Sequence, residues 1–484
     1  MSKIDITDER IFGNDAGDDE KEVILNHYFL EQAEFNRFYD ANVPFRVVKA
    51  RKGIGKSSLL RRTRTIAADE AAKNIVLWCT GADIRPDMAN AAVSENLIDA
   101  WKQRICSRIN RELGARIKLA MRDDEISLVE ASEVEGFRER NIVSALADRL
   151  KLKLGIGESL TVAAERERPV VKADIALLER YAAGSAQVFW LLIDDIDATF
   201  KNTAENRALL SAFFSACRDL VQRVSGLVIR CSVRTDVWTI LRTSDEALDK
   251  CEQYVFNLRW DERGVSTILE NMVYSYFTLV EPNLVALNSK DEAGRRKEAY
   301  RLIFPSTYTW GGDKAIDSKR FLAIYSQGRP RWTTKLCRAA ALKAARRGGD
   351  RIELRDLNAE LGAYSLQRRQ DIVGEHSHEY SDFNALLQIF ADWKKRFTTP
   401  ELLKRISELH IAKLVPPALK PDPVYLAHLL FRSGFINAVR LNKRTNKADH
   451  YEFEDRPTLL ISRGNLDEGC EWEIPLFLRK EFGV

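Results

Sequence analysis

The sequence has few cysteines and lacks a membrane-spanning run and a secretory signal. It contains 7 cysteines among 484 residues, at positions 79, 106, 217, 231, 251, 337 and 470, with no Cys-x-x-Cys pair. An odd number of widely spaced cysteines argues against a disulfide framework and a cysteine-based zinc site. No apolar run reaches the roughly 20 residues of a membrane-spanning helix, and the polar, acidic N-terminus is unlike a secretory signal. We therefore expect a cytoplasmic protein with reduced thiols.

The sequence also lacks a strong excess of either charge. Lys and Arg total 75 and Asp and Glu total 71, so the net charge is +4. That balance does not by itself indicate a nucleic-acid partner. A hydrophobic content of 45% and a charged content of 30% are typical of globular chains, and the length predicts about two to four domains.

The most informative stretch is residues 45–62, FRVVKARKGIGKSSLLRR. An apolar run from Phe45 to Val48 predicts a buried strand, and a helical pattern begins at Leu59. The glycine loop between them predicts a phosphate-binding loop, in which the backbone amides of Gly53, Ile54 and Gly55 surround an anion.

The residues after the glycines fit the same chemistry. Lys56 can reach the β- and γ-phosphates, the Ser57 hydroxyl can take one Mg²⁺ position, and Ser58 completes the helix start. Ala50 occupies the position at which the phosphate-loop pattern has Gly, so the sequence matches that pattern incompletely. The alternative is a chance basic loop at a helix start.

A second motif is the apolar strand Val188 to Ile193, which ends in Asp194-Asp195. A carboxylate at the carboxyl end of a parallel strand lies beside the phosphate loop. We predict that Asp194 holds Mg²⁺ and that Asp195 orients the attacking water or accepts its proton. The alternative is an acidic turn after an ordinary strand.

Two further candidate elements come later in the chain. Arg234 comes just after the strand Leu227 to Val233, where a cation could contact the γ-phosphate; a solvent-facing arginine is the alternative. The segment Gly328-Arg329-Pro330-Arg331 begins a helix, and Pro is common in a first helical turn. Its functional interpretation is a lid contact to the nucleotide.

The remaining pattern gives a domain plan. Strands alternating with helices up to residue 259, among them a helix at 204–223, predict a right-handed α/β sheet. Later residues are mostly helical, with helices predicted at 354–364 and 379–395. Two strands are predicted near the C-terminus, at 434–441 and 451–453. The predicted domains, in chain order, are an arm and helix (1–40, the helix from Lys21 to Tyr39), an α/β domain (41–259) with an insertion at about 119–172, a helical lid (260–365), and a C-terminal helical and hairpin domain (366–484).

Together these parts resemble the STAND and origin-recognition-like branch of the AAA+ P-loop ATPases, and bacterial stand-alone ATPases of this length. The C-terminal segments Gly434-Phe435-Ile436, Tyr451 to Asp455 and Trp472 to Phe477 are similar to tails in that group. The resemblance implies an α/β P-loop NTPase core, a helical lid and a winged-helix-like C-terminal domain. It also implies that Arg234 contacts the γ-phosphate and that Pro330 contacts the nucleotide from the lid.

The resulting hypothesis is an ATPase that binds ATP and Mg²⁺, hydrolyses slowly and acts as a switch for a separate effector or partner protein. Homo-oligomers and a role in anti-phage defence are weaker expectations from the resemblance. A nucleic-acid-binding loader or remodeller and a nucleotide-binding scaffold without turnover are the alternatives.

Two other groups of residues are considered for metal binding and for nucleic-acid binding. His376-x-His378 is interpreted as part of a solvated loop rather than a metal site. Several basic residues could meet nucleic-acid phosphates or simply form solvated faces. They are Arg346, Arg347, Arg368, Arg369, Lys394, Lys395, Arg396, Arg440, Lys443, Arg444 and Lys447.

Overall fold

The structure is a computed structural model, and it describes residues 4–14, 17, 19–68, 74–86, 97–117, 123–134, 172–309, 314–412, 422–442, 444 and 447–484. Its chain divides into two compact units. The sheet unit comprises Glu31–Arg51 and Lys56–Leu258, and the helical unit comprises Met1–Leu30, Lys52–Gly55 and Arg259–Val484.

The strands of the described residues are β1 (Phe45–Ala50), β2 (Ile75–Thr80), β3 (Phe189–Asp194), β4 (Leu227–Arg234), β5 (Val255–Asn257), β6 (Thr307–Thr309), β7 (Ala315–Asp317), β8 (Arg396–Phe397), β9 (Asn437–Asn442), β10 (Lys447–Tyr451) and β11 (Glu471–Glu473).

The helices are α1 (Glu22–Tyr28), α2 (Asn36–Tyr39), α3 (Lys56–Ala67), α4 (Gly81–Ile84), α5 (Leu97–Arg116), α6 (Asp123–Val134), α7 (Lys172–Ala183), α8 (Ala204–Arg223), α9 (Thr235–Ser244), α10 (Asp249–Glu252), α11 (Glu262–Ser275), α12 (Glu292–Ile303), α13 (Ser318–Ser326), α14 (Pro330–Arg346), α15 (Leu354–His376), α16 (Phe383–Gln388), α17 (Thr399–Ala412), α18 (Pro423–Ser433) and α19 (Leu476–Phe482). None of these described helices combines the length and apolarity needed to cross a lipid bilayer.

The sheet unit is built on five parallel strands in the order β2-β3-β4-β1-β5. Every residue of β3 is buried, as expected for a strand covered on both faces. The glycine loop follows β1, and the Asp-Asp pair lies at the end of β3, two strands away with β4 between them. This arrangement confirms the predicted α/β fold with a parallel sheet.

A buried arginine ties the segment before β1 to this sheet. Arg230 in β4 is fully buried, and its guanidinium donates to the carbonyl oxygens of Phe38 at 2.6 Å and Asp40 at 2.8 Å. It also lies over the Trp190 ring at 5.0 Å. Burial lowers the pKa of Arg230 to about 9. The sheet unit therefore includes residues that precede its first strand.

The predicted insertion at 119–172 contains regular structure. Residues 123–134 form α6, which packs on α5, and a Cβ at Gly114 would clash with the Leu128 carbonyl oxygen. Glycine at that position permits the close approach of the two helices. Residues 118–122 and 135–171 lie outside the described residues, as do 87–96.

The single helix predicted from Lys21 to Tyr39 is wrong. The chain forms α1, a 3-10 turn at Ala33–Phe35 and α2. Leu25 packs with Met272 in the helical unit, whereas Phe35 contacts Phe256 in the sheet unit. The apolar residues serve two cores, so one continuous helix cannot position them all.

The helical unit ends in a four-stranded antiparallel sheet in the order β10-β9-β11-β8. Along the chain its elements run β8, α17, α18, β9, β10 and β11. The second predicted strand lies earlier than expected, at Lys447–Tyr451 rather than 451–453. Strands β8 and β11 were not predicted.

Two helix predictions in this unit need correction. The helix that starts at Leu354 continues to His376, past the predicted end at Tyr364 and through the predicted domain boundary at 365. The helix predicted at 379–395 is shorter than expected, since only α16 (Phe383–Gln388) forms. A helix over the whole span is excluded because Asp392 has a left-handed backbone conformation, and its amide donates to the Phe482 carbonyl at 2.8 Å.

Candidate nucleotide site

The glycine loop between β1 and α3 has the backbone that a phosphate loop needs. Gly53 and Gly55 have φ of +81° and +116°, values at which a side chain would be strained. Helix α3 begins at Lys56, three residues before the predicted start, so Lys56, Ser57 and Ser58 form its first turn. The free amides of that turn and the helix dipole favour an anion.

Lys56 folds back over this loop. Its side chain is almost fully buried, and Nζ donates to the Ala50 carbonyl at 3.3 Å. Ala50 is the last residue of β1 and pairs with Arg234 of β4. Because Ala50 is in strand conformation, the Ala-for-Gly departure in the motif causes no backbone strain.

The tip of the loop, Lys52–Gly55, belongs to the helical unit and is held there by two contacts. The Trp260 indole N–H donates to the Ile54 carbonyl at 2.9 Å, and the Arg331 amide donates to the Gly53 carbonyl at 3.3 Å. A Cβ on Gly53 would lie 3.2 Å from the Arg331 Cβ. The loop tip therefore packs directly against the second residue of α14.

Arg331 and Trp260 are functional candidates that the sequence interpretation missed. It chose Pro330 from the same segment, and Pro330 is the first residue of α14. The available signal was an arginine in the first turn of a helix whose start carries Gly328 and Pro330. Arg331 places a long cationic side chain beside the loop, which suits it to bind phosphate.

Asp194 and Asp195 end β3 in different environments. Asp194 is buried, and its Oδ1 accepts from the Ser232 hydroxyl at 2.5 Å and from the Asp195 amide at 2.9 Å. The Asp195 amide also donates to Ser232 Oγ at 3.0 Å. Asp195 is exposed and has φ of +49°. The network fixes the backbone of Asp195 and leaves its carboxylate accessible.

The sequence interpretation did not identify Ser232 as a site residue, although the sequence contained a signal for it. It is a polar residue inside the apolar strand β4, in register beside the end of β3. Its hydroxyl is fully buried and donates to Asp194, so it orients that carboxylate.

Arg234 binds the Asp197 carboxylate, which the sequence interpretation did not identify as part of the site. Its Nε donates to Asp197 Oδ2 at 2.7 Å, its amide donates to the same oxygen at 3.0 Å, and its Nη2 donates to the Asp197 carbonyl at 2.8 Å. Asp197 is 1% exposed, and its Oδ1 has no hydrogen-bond partner in the described part of the chain. The pair holds the guanidinium rigidly at the end of β4.

These side chains lie at one edge of the sheet unit. Parallel strands β3, β4 and β1 are neighbours, and their carboxyl ends carry Asp194, Arg234 and Ala50, with Lys56 bonded to Ala50. The combination offers hydroxyl and carboxylate oxygens that suit Mg²⁺ and cations that suit phosphate. Among the described residues, no group of three His, Cys, Asp or Glu side chains forms a metal cluster.

Five of the basic residues proposed as nucleic-acid contacts are paired or buried inside the helical unit. Arg347 binds Asp356, Arg369 binds Glu481, Lys394 binds Glu401 and Arg396 binds Glu473. Arg368 is 1% exposed and lies over the Trp332 ring. Arg440, Arg444 and Lys447 of the β9–β10 hairpin are exposed, and Lys443 is outside the described residues.

The solvated-loop interpretation of His376 is wrong. His376 is 3% exposed, and its Nδ1 lies 2.8 Å from Glu379 Oε1. Glu379 also binds Arg432 of α18. The histidine is thus part of a buried polar network rather than a loop.

No protein-family model matches the sequence, and the search of curated proteins found no match either. Among solved structures, the chain is similar to Cdc6p from Pyrobaculum aerophilum, at 11% identity and a TM-score of 0.35, over 96% of this chain and 99% of that chain. It is similar to the Aeropyrum pernix ORC2 protein in ADPNP-ADP complexes, at 14% identity and a TM-score of 0.38, over 89% and 88%. It is also similar to the Aeropyrum pernix ORC1 protein in complex with DNA, at 13% identity and a TM-score of 0.34, over 89% and 93%.

Proposed function

We propose that this protein binds ATP with Mg²⁺ and hydrolyses it slowly, as a conformational or assembly switch for a partner protein. One observation carries the proposal: a glycine loop with two left-handed glycines joins strand β1 to a helix whose first residue is Lys56. That geometry exposes backbone amides and an ammonium to a phosphate chain.

The proposed roles follow from the positions of the side chains. The amides of Gly53, Ile54 and Gly55 and the Lys56 ammonium bind phosphate oxygens, and Ser58 belongs to the same first helical turn. Within the helical unit, Arg331 packs against the loop tip and follows Pro330, and we propose that both residues contact the nucleotide.

Ser57 and Asp194 supply the oxygen donors for Mg²⁺, which when bound offsets charge on the phosphates. Asp195, exposed beside Asp194, accepts the proton of the attacking water. Arg234, held by Asp197, presents a fixed cation at the neighbouring strand end.

Nucleotide binding can be tested by removing the Lys56 ammonium. Lys56→Ala removes a charge-assisted contact of about 1.5–3 kcal/mol, so ATP should bind at least about tenfold more weakly by calorimetry. Lys52→Ala is the matched control, because Lys52 is exposed at the same loop. Equal ATP affinity for Lys56→Ala and wild type would refute the assignment of the loop.

The switch is tested through assembly state. A ligand shifts an equilibrium only by its differential affinity for two states, and we expect the γ-phosphate to supply the difference through Arg234. A non-hydrolysable ATP analogue should change the mass measured by light scattering, and ADP should not. Arg234→Ala should bind ADP normally and lose the response. Identical masses with both nucleotides in wild type would refute the assembly switch.

A nucleic-acid-binding ATPase is the second candidate, favoured by the exposed Arg440, Arg444 and Lys447. Helix α18, which precedes that hairpin as a recognition helix would in a winged helix, presents only Tyr425 as an exposed residue within Pro423–Ser433. A helix that reads DNA needs an exposed polar face. Salt-dependent retention on DNA separates this candidate from the protein-directed switch.

A further inference from the structure

An open groove lies at the edge of the sheet unit and shares no lining residue with the proposed nucleotide site. It has a volume of about 470 Å³ and is lined by residues of α2, β1 and β5 and of the 3-10 turn before α2. Phe38 and Phe256 give it an apolar wall, and Arg37 and Arg46 line it with positive charge. Glu34 contributes one carboxylate to the same lining.

The two arginines of this groove have no carboxylate contact in the part of the chain that the structure describes. Arg37 is exposed. Arg46 is half-buried, its Nε is buried without an acceptor, and its Nη1 reaches only the Gln253 carbonyl at 3.4 Å. Burial, and then the neighbouring Arg37, lowers the pKa of Arg46. An anion placed between the two guanidiniums would relieve both effects.

The groove also runs along a sheet edge. Strand β5 pairs with β1 on one side and is the last strand in the sheet order. Val255 and Phe256 are half-buried and Asn257 is exposed. An edge strand offers main-chain donors and acceptors to an added strand.

We propose that this groove binds an extended acidic segment of a partner protein. The segment adds beside β5, and its carboxylates meet Arg37 and Arg46. The main-chain edge favours a peptide over a nucleic acid, which has no amides to pair with a strand. Alternate side chains of an added strand point to the same face, so every second residue should be acidic. The interaction is independent of the proposed nucleotide site.

The probe is a fluorescein-labelled decapeptide of alternating threonine and glutamate, titrated with the full-length protein without nucleotide and followed by fluorescence anisotropy. Two control peptides carry glutamine in place of glutamate, or N-methyl groups on alternate amides. We expect saturable binding of the acidic peptide and at least about tenfold weaker binding of both controls.

The variants test the position of the site. Arg37→Glu should weaken peptide binding at least about tenfold, and Arg46→Gln should weaken it to a smaller extent. Arg64→Glu changes an exposed arginine of α3 by the same charge and should have no effect. Circular dichroism spectra identical to wild type show that each variant folds. Absence of binding, equal binding of the glutamine peptide, or equal binding by Arg37→Glu would overturn the proposal.

Discussion

The buried pair of Arg329 and Glu375 should be one of the most sensitive points of the helical unit. Arg329 precedes α14 and is 0% exposed, and Glu375 lies near the end of α15 and is 5% exposed. Arg329 Nη1 donates to both Glu375 oxygens, at 2.9 and 3.2 Å, and the guanidinium lies 4.1 Å from the centre of the Trp332 ring. Arg329 Nε and Nη2 have no hydrogen-bond partner among the described residues.

Glu375→Ala would leave this guanidinium buried without its carboxylate. Removing one partner of a buried ion pair costs about 3–5 kcal/mol, because the remaining charge has lost its solvation and its counter-charge. The contact with Trp332 remains and does not replace the carboxylate. We expect the free energy of unfolding of the helical unit to fall by that amount, whereas Arg329→Met with Glu375→Leu should cost much less since no charge stays buried.

Urea unfolding followed by tryptophan fluorescence measures the effect. Glu360→Ala is the matched control on the same helix: Glu360 binds Lys343, whose side chain is 38% exposed, so its loss should cost less than about 1 kcal/mol. The reasoning is refuted if Glu375→Ala destabilises the protein no more than Glu360→Ala.

Two further predictions concern turnover and pH. Asp195→Asn keeps a side chain that tolerates a φ of +49° and removes the carboxylate charge, so ATP should bind normally and phosphate release should fall by roughly 10²-fold; equal release rates would exclude Asp195 as the base. Burial, with Arg432, lowers the pKa of His428 to about 4, against the opposing effects of Glu379 and the Pro457 backbone. Because the folded-state pKa of His428 is below the ordinary value of 6.5, its contribution to stability should be fully present above pH 6.5 and fall as the pH drops toward 4. Between pH 7.5 and 5, the urea midpoint of His428→Gln should therefore fall less than that of the wild type.

The sequence predicted best those parts of the fold that depend on local pattern. The apolar runs located β3 and β4 to within a residue at each end, and helix Ala204–Arg223 has the predicted bounds, with Thr203 capping its start. The glycine loop after β1 was readable because its glycines, lysine and serine are adjacent in the chain, and its role as a phosphate loop stays a prediction.

The parts that could not be predicted depend on contacts between distant residues. Ser232 reaches Asp194 across 38 positions, and Asp197 reaches Arg234 across 37. Strand β8 has only two residues, too few to show a period. Polar residues such as Arg368 look solvent-facing in the sequence, and nothing in their local pattern shows that a tertiary core buries them.

The bonds of Arg230 also decide where the chain can be cut. A fragment that begins at residue 41 would retain all five strands of this sheet and the glycine loop after β1. It would lack the carbonyl groups of Phe38 and Asp40 that accept from the Arg230 guanidinium in the middle of the sheet. A cation left there without acceptors is costly, so an isolated sheet unit has to carry the residues from Glu31 onward to be a usable fragment.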